Sequence, residues 1–327
     1  FMVPPFHGIE PMALFSATLP ILILAAVGFA LARTALLSAQ DFSTLGRFVV
    51  MLALPALLFR TMADLPVSGI VEPGYLLAYL GGTLIVIVIG YGGWRLFGNA
   101  SGDVAAIRTM GMACPNSGFV GYPLMLLSFP EIAGKVLALN MAVENLIFIP
   151  LLLALAESGR QAGQGFAAMI RRTMLELVRN PMIIGLAGGF AWTVFGLTLP
   201  DAVRRPVDML AASSGAVSLI VIGGMLGRSN VSSWKFPALV TICGKLLLQP
   251  LAVFLMLMVV TALGMPLTDP DLRKALVISS AISVMGIYPL LSLRYGLAES
   301  SAVVLAGSTI ASFVTLNLVF LVVASLP

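Results

Sequence analysis

Two charged residues, Glu144 and Lys245, lie within long apolar stretches of the sequence. Burying a charge away from water is costly, so such residues are candidates for chemistry. Asn140 lies four residues before Glu144 and shares its helix face, which predicts a polar stripe that binds a proton or a cation. Structural pairing of Glu144 with a helix terminus is the alternative. Lys245 either neutralises a carboxylate, occupies an ion position, or extends its long side chain to a polar boundary.

Helix-breaking residues are concentrated in two further apolar segments. Residues 115–123 hold two prolines and two glycines within nine positions, and residues 283–289 hold Gly286 and Pro289. Proline removes a backbone donor and clashes with the preceding turn, so both segments predict interrupted helices. In hydrocarbon, an interruption is tolerated only where protein or a wet cavity covers the freed backbone groups. A pair of packing kinks is the alternative interpretation.

The two interruptions predict an anion-binding site where they meet. A helix that restarts after a break presents free N–H groups and the positive end of its dipole, which attract an anion. Asn116 follows the first break directly, and its amide can donate a hydrogen bond to a carboxylate. The candidate site residues are Pro115, Asn116, Ser117, Gly118, Ser283, Val284, Met285 and Gly286.

The composition defines the surroundings of these residues. The chain has 327 residues, of which 59% are hydrophobic and 10% charged, with a mean hydropathy of +1.05. Soluble domains carry about 25% charged residues, so a soluble protein is excluded and an all-α membrane protein is predicted. The net charge of +4 comes from scattered basic residues without interleaved aromatics, which argues against nucleic-acid binding. Two isolated cysteines and one histidine predict no disulfide framework, metal centre or cofactor.

Apolar runs of about 20 residues predict the membrane-spanning helices. Residues 1–11 precede them, either as a short N-terminal arm or as residues that are not native to the chain. Eleven Lys and Arg residues fall on one side of this arrangement and six on the other. The larger group marks the cytoplasmic side, so both termini are predicted outside and the 158–178 linker inside. Arg60 and Asp64, four residues apart, predict an exposed ion pair. The ten predicted spans are 12–32, 44–63, 73–95, 104–128, 133–157, 179–199, 205–227, 236–264, 273–296 and 302–326.

The two halves of the chain share sequence features. The segment at 121–124 in the fourth span is echoed at 286–290 in the ninth, with 166 residues from Tyr122 to Tyr288. Because each half has five spans, an odd number, two halves of one fold must enter the membrane from opposite sides, as in many transporters. The predicted inverted repeats are 12–157, with spans one to five, and 179–326, with spans six to ten.

Further motifs are distributed along the chain: Ala53-Leu54-Pro55 in span two, Pro115-Asn116 in span four, Asn180-Pro181 opening span six, Gly223-Gly224-Met225-Leu226 closing span seven, and Arg294-Tyr295-Gly296 ending span nine. Together they resemble the auxin efflux carrier family over nearly all of 12–326. That family includes plant auxin exporters and bacterial carriers of malonate and related acids.

The resemblance implies ten helices in two inverted repeats, whose fourth and ninth spans are unwound and cross at the substrate site. It also implies a homodimer formed through spans one, two, six and seven, with the other spans as a mobile bundle. The short central linker resembles bacterial members, which implies the bacterial inner membrane. Plant members carry a proline at the ninth-span crossing, where this chain has Ser283 or Val284, so we expect a milder break there.

The expected function is secondary transport of a small organic carboxylate anion by alternating access of the elevator type. A sodium-coupled bile-acid-type symporter of related architecture is the alternative, followed by a membrane sensor or channel. An intramembrane enzyme is not expected, because the predicted spans hold neither a histidine nor a pair of aspartates. The expected partners are the anion, the lipid bilayer and a second copy of the chain.

Overall fold

The computed structural model describes residues 11–34, 36–65, 72–160, 175, 178–228 and 235–324. The predicted N-terminal arm, apart from Pro11, and most of the predicted 158–178 linker lie outside these residues. Throughout the described ranges the secondary structure is helical, and no strand element forms there.

The helices are α1 (Pro11–Arg33), α2 (Ala39–Asp64), α3 (Pro73–Leu96), α4 (Gly102–Ala113), α5 (Ser117–Ser128), α6 (Ala133–Gly159), α7 (Pro181–Val194), α8 (Asp201–Arg228), α9 (Phe236–Ala262), α10 (Pro270–Ser280), α11 (Tyr288–Ser292) and α12 (Ala298–Ala324). Within the described residues, six of them are long and apolar enough to cross a membrane, namely α2, α3, α6, α8, α9 and α12. Shorter apolar helices lie in α1, α5 and α7. The all-α class is confirmed, whereas the ten-span inverted repeat stays a prediction.

Both predicted interruptions are present. The chain leaves helical geometry between α4 and α5 for three residues, Cys114 to Asn116, and between α10 and α11 for seven residues, Ala281 to Ile287. The second break is thus longer than the first, while the comparison with the break of plant members stays a prediction. Although proline is absent at Ser283 and Val284, their backbone groups bond outside the helix, so the α10 ladder ends early.

Wide turns, each containing one residue more than a regular turn, interrupt four helices in the described chain. They are Val49–Ala53 in α2, Ser117–Gly121 in α5, Glu144–Phe148 in α6 and Gly244–Leu248 in α9. A proline stands two residues after each of them, at Pro55, Pro123, Pro150 and Pro250. Proline has no N–H to donate to the carbonyl four residues earlier, and its ring crowds that carbonyl. The turn before it therefore widens, and an N–H there donates to the carbonyl five residues earlier instead of four. For example, the N–H of Gln249 donates to the carbonyl of Gly244.

The helices pack in two groups. In the scaffold group, α1 packs along α8 and α2 packs along α7, whereas in the crossing group α3 packs along α9 and α4 packs between α3 and α6. Small residues permit the close approach within the scaffold group. A Cβ atom added at Gly223 would collide with the Ala25 carbonyl, and one at Gly185 would collide with the Pro55 carbonyl. The crossing group contains both interruptions and thus positions the candidate site.

Candidate functional site

The two interruptions cross each other in antiparallel orientation. Pro115 pairs with Val284 as an isolated β-bridge. The Asn116 N–H donates to the Ser283 carbonyl at 2.9 Å, and the Met285 N–H donates to the Cys114 carbonyl at 3.0 Å. Each unwound stretch thereby satisfies backbone groups of the other, as a buried break requires.

Two side chains of α9 bind the helix ends that stop at this crossing. The ammonium of Lys245 donates to the Ser280 carbonyl at the end of α10, with an Nζ–O distance of 2.7 Å. The amide of Gln249 donates to the Ala113 carbonyl at the end of α4, also at 2.7 Å. Both side chains are 0% exposed. Lys245 thus does not extend to a polar boundary, and that interpretation of its long side chain is wrong.

A second polar cluster lies where α5 begins. The Glu144 carboxylate, on the wide turn of α6, accepts hydrogen bonds from the Ser117 hydroxyl at 2.6 Å and the Tyr79 hydroxyl at 2.7 Å. One turn away, Asn140 accepts from the Tyr75 hydroxyl at 2.9 Å. The predicted Asn140 and Glu144 stripe therefore faces a matching tyrosine stripe on α3. Glu144 is 3% exposed, and its charge interacts electrostatically with that of Lys245 across the crossing.

Two hydrogen-bond donors at the crossing have no partner in the protein. They are the side-chain Nδ2 of Asn116 and the hydroxyl of Ser283, and both residues are buried. Gly286 lies against the Asn116 amide, because a Cβ atom added to Gly286 would be 3.7 Å from Nδ2. An amide N–H and a hydroxyl both donate well to a carboxylate oxygen, and the dipole of α5 adds positive potential there.

The space beside the crossing is narrow. A gap there is too narrow for a water molecule. It is lined by Ser117, Gly121, Tyr122, Met125, Val136, Leu137, Asn140 and Ser279. The Asn116 and Ser283 side chains are themselves buried, so a solute reaches their donors only if helices move apart.

The predicted site residues come together around the crossing, with one at its edge. Gly118 faces the scaffold group, where an added Cβ atom would be 2.8 Å from the Leu54 side chain. Sequence reasoning missed Tyr75, Tyr79 and Gln249. The signal for them was the same as for Asn140 and Glu144: two polar residues stand four positions apart on an apolar helix. Tyr75 and Tyr79 form one such pair, and Lys245 and Gln249 form another.

Ion pairs outside the crossing differ from the sequence prediction. Arg60 pairs with Asp208 of α8 at 3.5 Å, and Asp64 pairs with Arg204 of α8 at 2.8 Å. The predicted pair of Arg60 with Asp64 is replaced by two bridges between α2 and α8. Across the described ranges, His, Cys, Asp and Glu side chains do not gather in threes, so those residues offer no metal centre.

Comparison with known proteins gives two matches. The membrane transport protein family matches residues 13–319. A protein of Rhizobium meliloti (strain 1021) named "Putative malonate transporter" is 27% identical over 245 residues, which are 73% of this chain and 75% of that protein. The match confirms the resemblance to auxin efflux carriers that the sequence motifs indicated.

Proposed function

Because the chain belongs to the membrane transport protein family, we propose that it is a secondary transporter of a small organic carboxylate anion. The observation that carries the proposal is the pair of unpartnered donors, Asn116 Nδ2 and Ser283 Oγ, at the crossing of two interrupted helices. A buried donor without a partner is unfavourable by about 1–3 kcal/mol, so a ligand that accepts from it recovers that free energy.

Two positive features beside the Asn116 and Ser283 donors support an anion as the ligand. Lys245 is a buried cation near one face, and the first turn of α5 presents its positive dipole end at the other. Dicarboxylates the size of malonate are the first candidates, because the related protein of Rhizobium meliloti carries malonate in its name. Glu144 remains the proposed proton or cation site, with Asn140 beside it.

Alternating access of the elevator type is supported by the division into two groups of helices. The gap at the crossing is too narrow for a water molecule, so helices have to separate for an anion to enter, and we propose that the crossing group moves relative to the scaffold group. A polar contact between the groups is made where the Asn180 amide, at the start of α7, donates to Asn145 of α6 at 3.2 Å. We further propose that α1, α2, α7 and α8 form the homodimer contact and that both termini face the periplasm of a bacterial inner membrane.

Counterflow in proteoliposomes tests the transport proposal. Vesicles loaded with unlabelled malonate and diluted into trace labelled malonate are expected to accumulate label transiently and saturably, because a carrier exchanges its sites across the membrane. Malonamide has nearly the same size without the charge and is the matched control, expected neither to drive counterflow nor to compete. Unsaturable flux without counterflow would indicate a channel, and competition by malonamide would contradict an anion site.

A further inference from the structure

Lys245 and Gln249 occupy the two places at the crossing where helix ends expose carbonyl oxygens. The last carbonyls of a helix lack intrahelical partners and carry the negative end of its dipole. Here α4 and α10 both end inside the protein, and their terminal residues Ala113 and Ser280 each receive one donor from α9. The wide turn at Gly244–Leu248 lies in the same segment as both donors. One stretch of α9 therefore closes both helix ends.

The charge balance of the crossing depends on Lys245. Its side chain is 0% exposed and donates to a neutral carbonyl, and it forms no direct ion pair with Glu144, the buried carboxylate that interacts with it through space. Without the ammonium, the crossing would keep a buried carboxylate and two negative dipole ends without a compensating charge. A buried carboxylate in such a site is unfavourable unless it takes up a proton or pairs with a cation from solution.

We propose that Lys245 is a resident cation: fixed on α10 through the Ser280 carbonyl, it performs the charge compensation that a co-transported metal ion would otherwise supply. Gln249, also on α9, is its neutral counterpart and binds the end of α4 through the Ala113 carbonyl. Lys245 is thus a positioning residue and not a substrate ligand, because its ammonium already binds the protein. The inference rests on the proposed function in one respect: it states that anion transport needs no sodium ion.

Chemical rescue tests the inference directly. Lys245→Ala removes three methylene groups and the ammonium, which together have the size of propylammonium. We expect malonate counterflow by this variant to fall about tenfold or more, as for loss of a hydrogen bond from a charged group. Added propylammonium is expected to restore most of the flux, whereas propanol, which lacks the charge, is not. Lys235→Ala, which removes an exposed lysine at the start of α9, is the matched control and is expected to behave as wild type.

Thermal unfolding in detergent gives a second measurement that does not depend on transport. Propylammonium is expected to raise the unfolding midpoint of Lys245→Ala and to leave wild type and Lys235→Ala unchanged. If wild type transports no carboxylate, the proposed function fails while this shift still decides the role of Lys245. If Lys245→Ala is obtained folded only when purified with propylammonium, the inference is supported.

Several outcomes would overturn the resident cation. Full flux by Lys245→Ala would do so, and so would a loss of flux or of folding that propylammonium does not reverse. Replacement of sodium by choline in the wild-type assay provides an independent arm. Unchanged flux is expected, and a dependence on sodium would show that a solution cation is required after all.

Discussion

Asn116 has a side-chain donor that is unpaired in the empty protein, so its removal should affect anion binding and the stability of the empty protein differently. In the structure the Asn116 Nδ2 has no partner and the residue is 2% exposed, while the backbone N–H of Asn116 separately holds the crossing to Ser283. Asn116→Ala deletes the unpaired group and keeps the backbone bond. We therefore expect weaker anion binding without a loss of stability in the empty protein.

The magnitudes follow from the same contacts. A hydrogen bond to a charged group contributes about 1.5–3 kcal/mol, so the dissociation constant for a bound carboxylate should rise about 10- to 150-fold. In the empty protein the deletion relieves an unsatisfied donor worth about 1–3 kcal/mol, which offsets the lost packing of a small side chain. Asn116→Asp keeps the shape but places a carboxylate at the crossing, so it should weaken binding more than the alanine variant does.

Titration of detergent-purified protein with malonate, followed by calorimetry or intrinsic fluorescence, measures the affinity, and thermal unfolding of the empty protein measures its stability. Asn317→Ala is the control, because the Asn317 amide donates to the carbonyl of Phe313 in its own helix, away from the crossing. The proposed role of Asn116 is refuted if Asn116→Ala binds malonate with wild-type affinity. It is also refuted if the empty variant is destabilised by several degrees, since Asn116 would then be a structural residue.

Other residues give independent tests. Glu144→Gln keeps the side-chain shape and removes the titrating group, so uptake should lose its pH dependence. Glu157→Gln, at the far end of α6, is the control and should keep the wild-type pH profile. A persistent pH dependence in Glu144→Gln would assign this carboxyl a structural role. Gly223→Val places a side chain against the α1 backbone and should lower the free energy of unfolding by about 1–3 kcal/mol. Gly92 has open space around it, so Gly92→Val should not lower that free energy. Equal losses in both variants would contradict close packing of α1 against Gly223. Arg204→Ala breaks a half-exposed salt bridge and should lower the free energy of unfolding by at most about 1 kcal/mol, measured by thermal unfolding. A larger loss would contradict a minor contribution of this bridge to stability.

The breaks in the helices could be predicted from sequence because their cause is local. Proline and glycine act on their own turn of the chain, so the interruption after Ala113 follows from residues 115–123. The length of the second break could not be predicted in this way because it depends on a partner. Ser283 and Met285 exchange backbone bonds with residues 160 positions away or more, and no local pattern indicates that pairing.

The roles of the buried polar side chains were less predictable, because they depend on what lies opposite in space. A lysine in an apolar helix is compatible with a boundary, an ion position or a helix end, and only the placement of the Ser280 carbonyl distinguishes these possibilities. The same reason explains why the spacing of Arg60 and Asp64 misled. Residues four apart can reach each other, but α8 presents Asp208 and Arg204, which pair with them instead.

The wide turns bear on how the chain is compared with its relatives. If such a turn closes into a regular one with the same number of residues, the remainder of the helix turns by about 100°, and the loss of one residue restores its original orientation. A relative that lacks Pro250 and keeps the same packing between α3 and α9 is therefore expected to be one residue shorter within the helix itself. Alignments of this family should accordingly permit single-residue gaps inside membrane helices at these turns, where gap penalties normally forbid them.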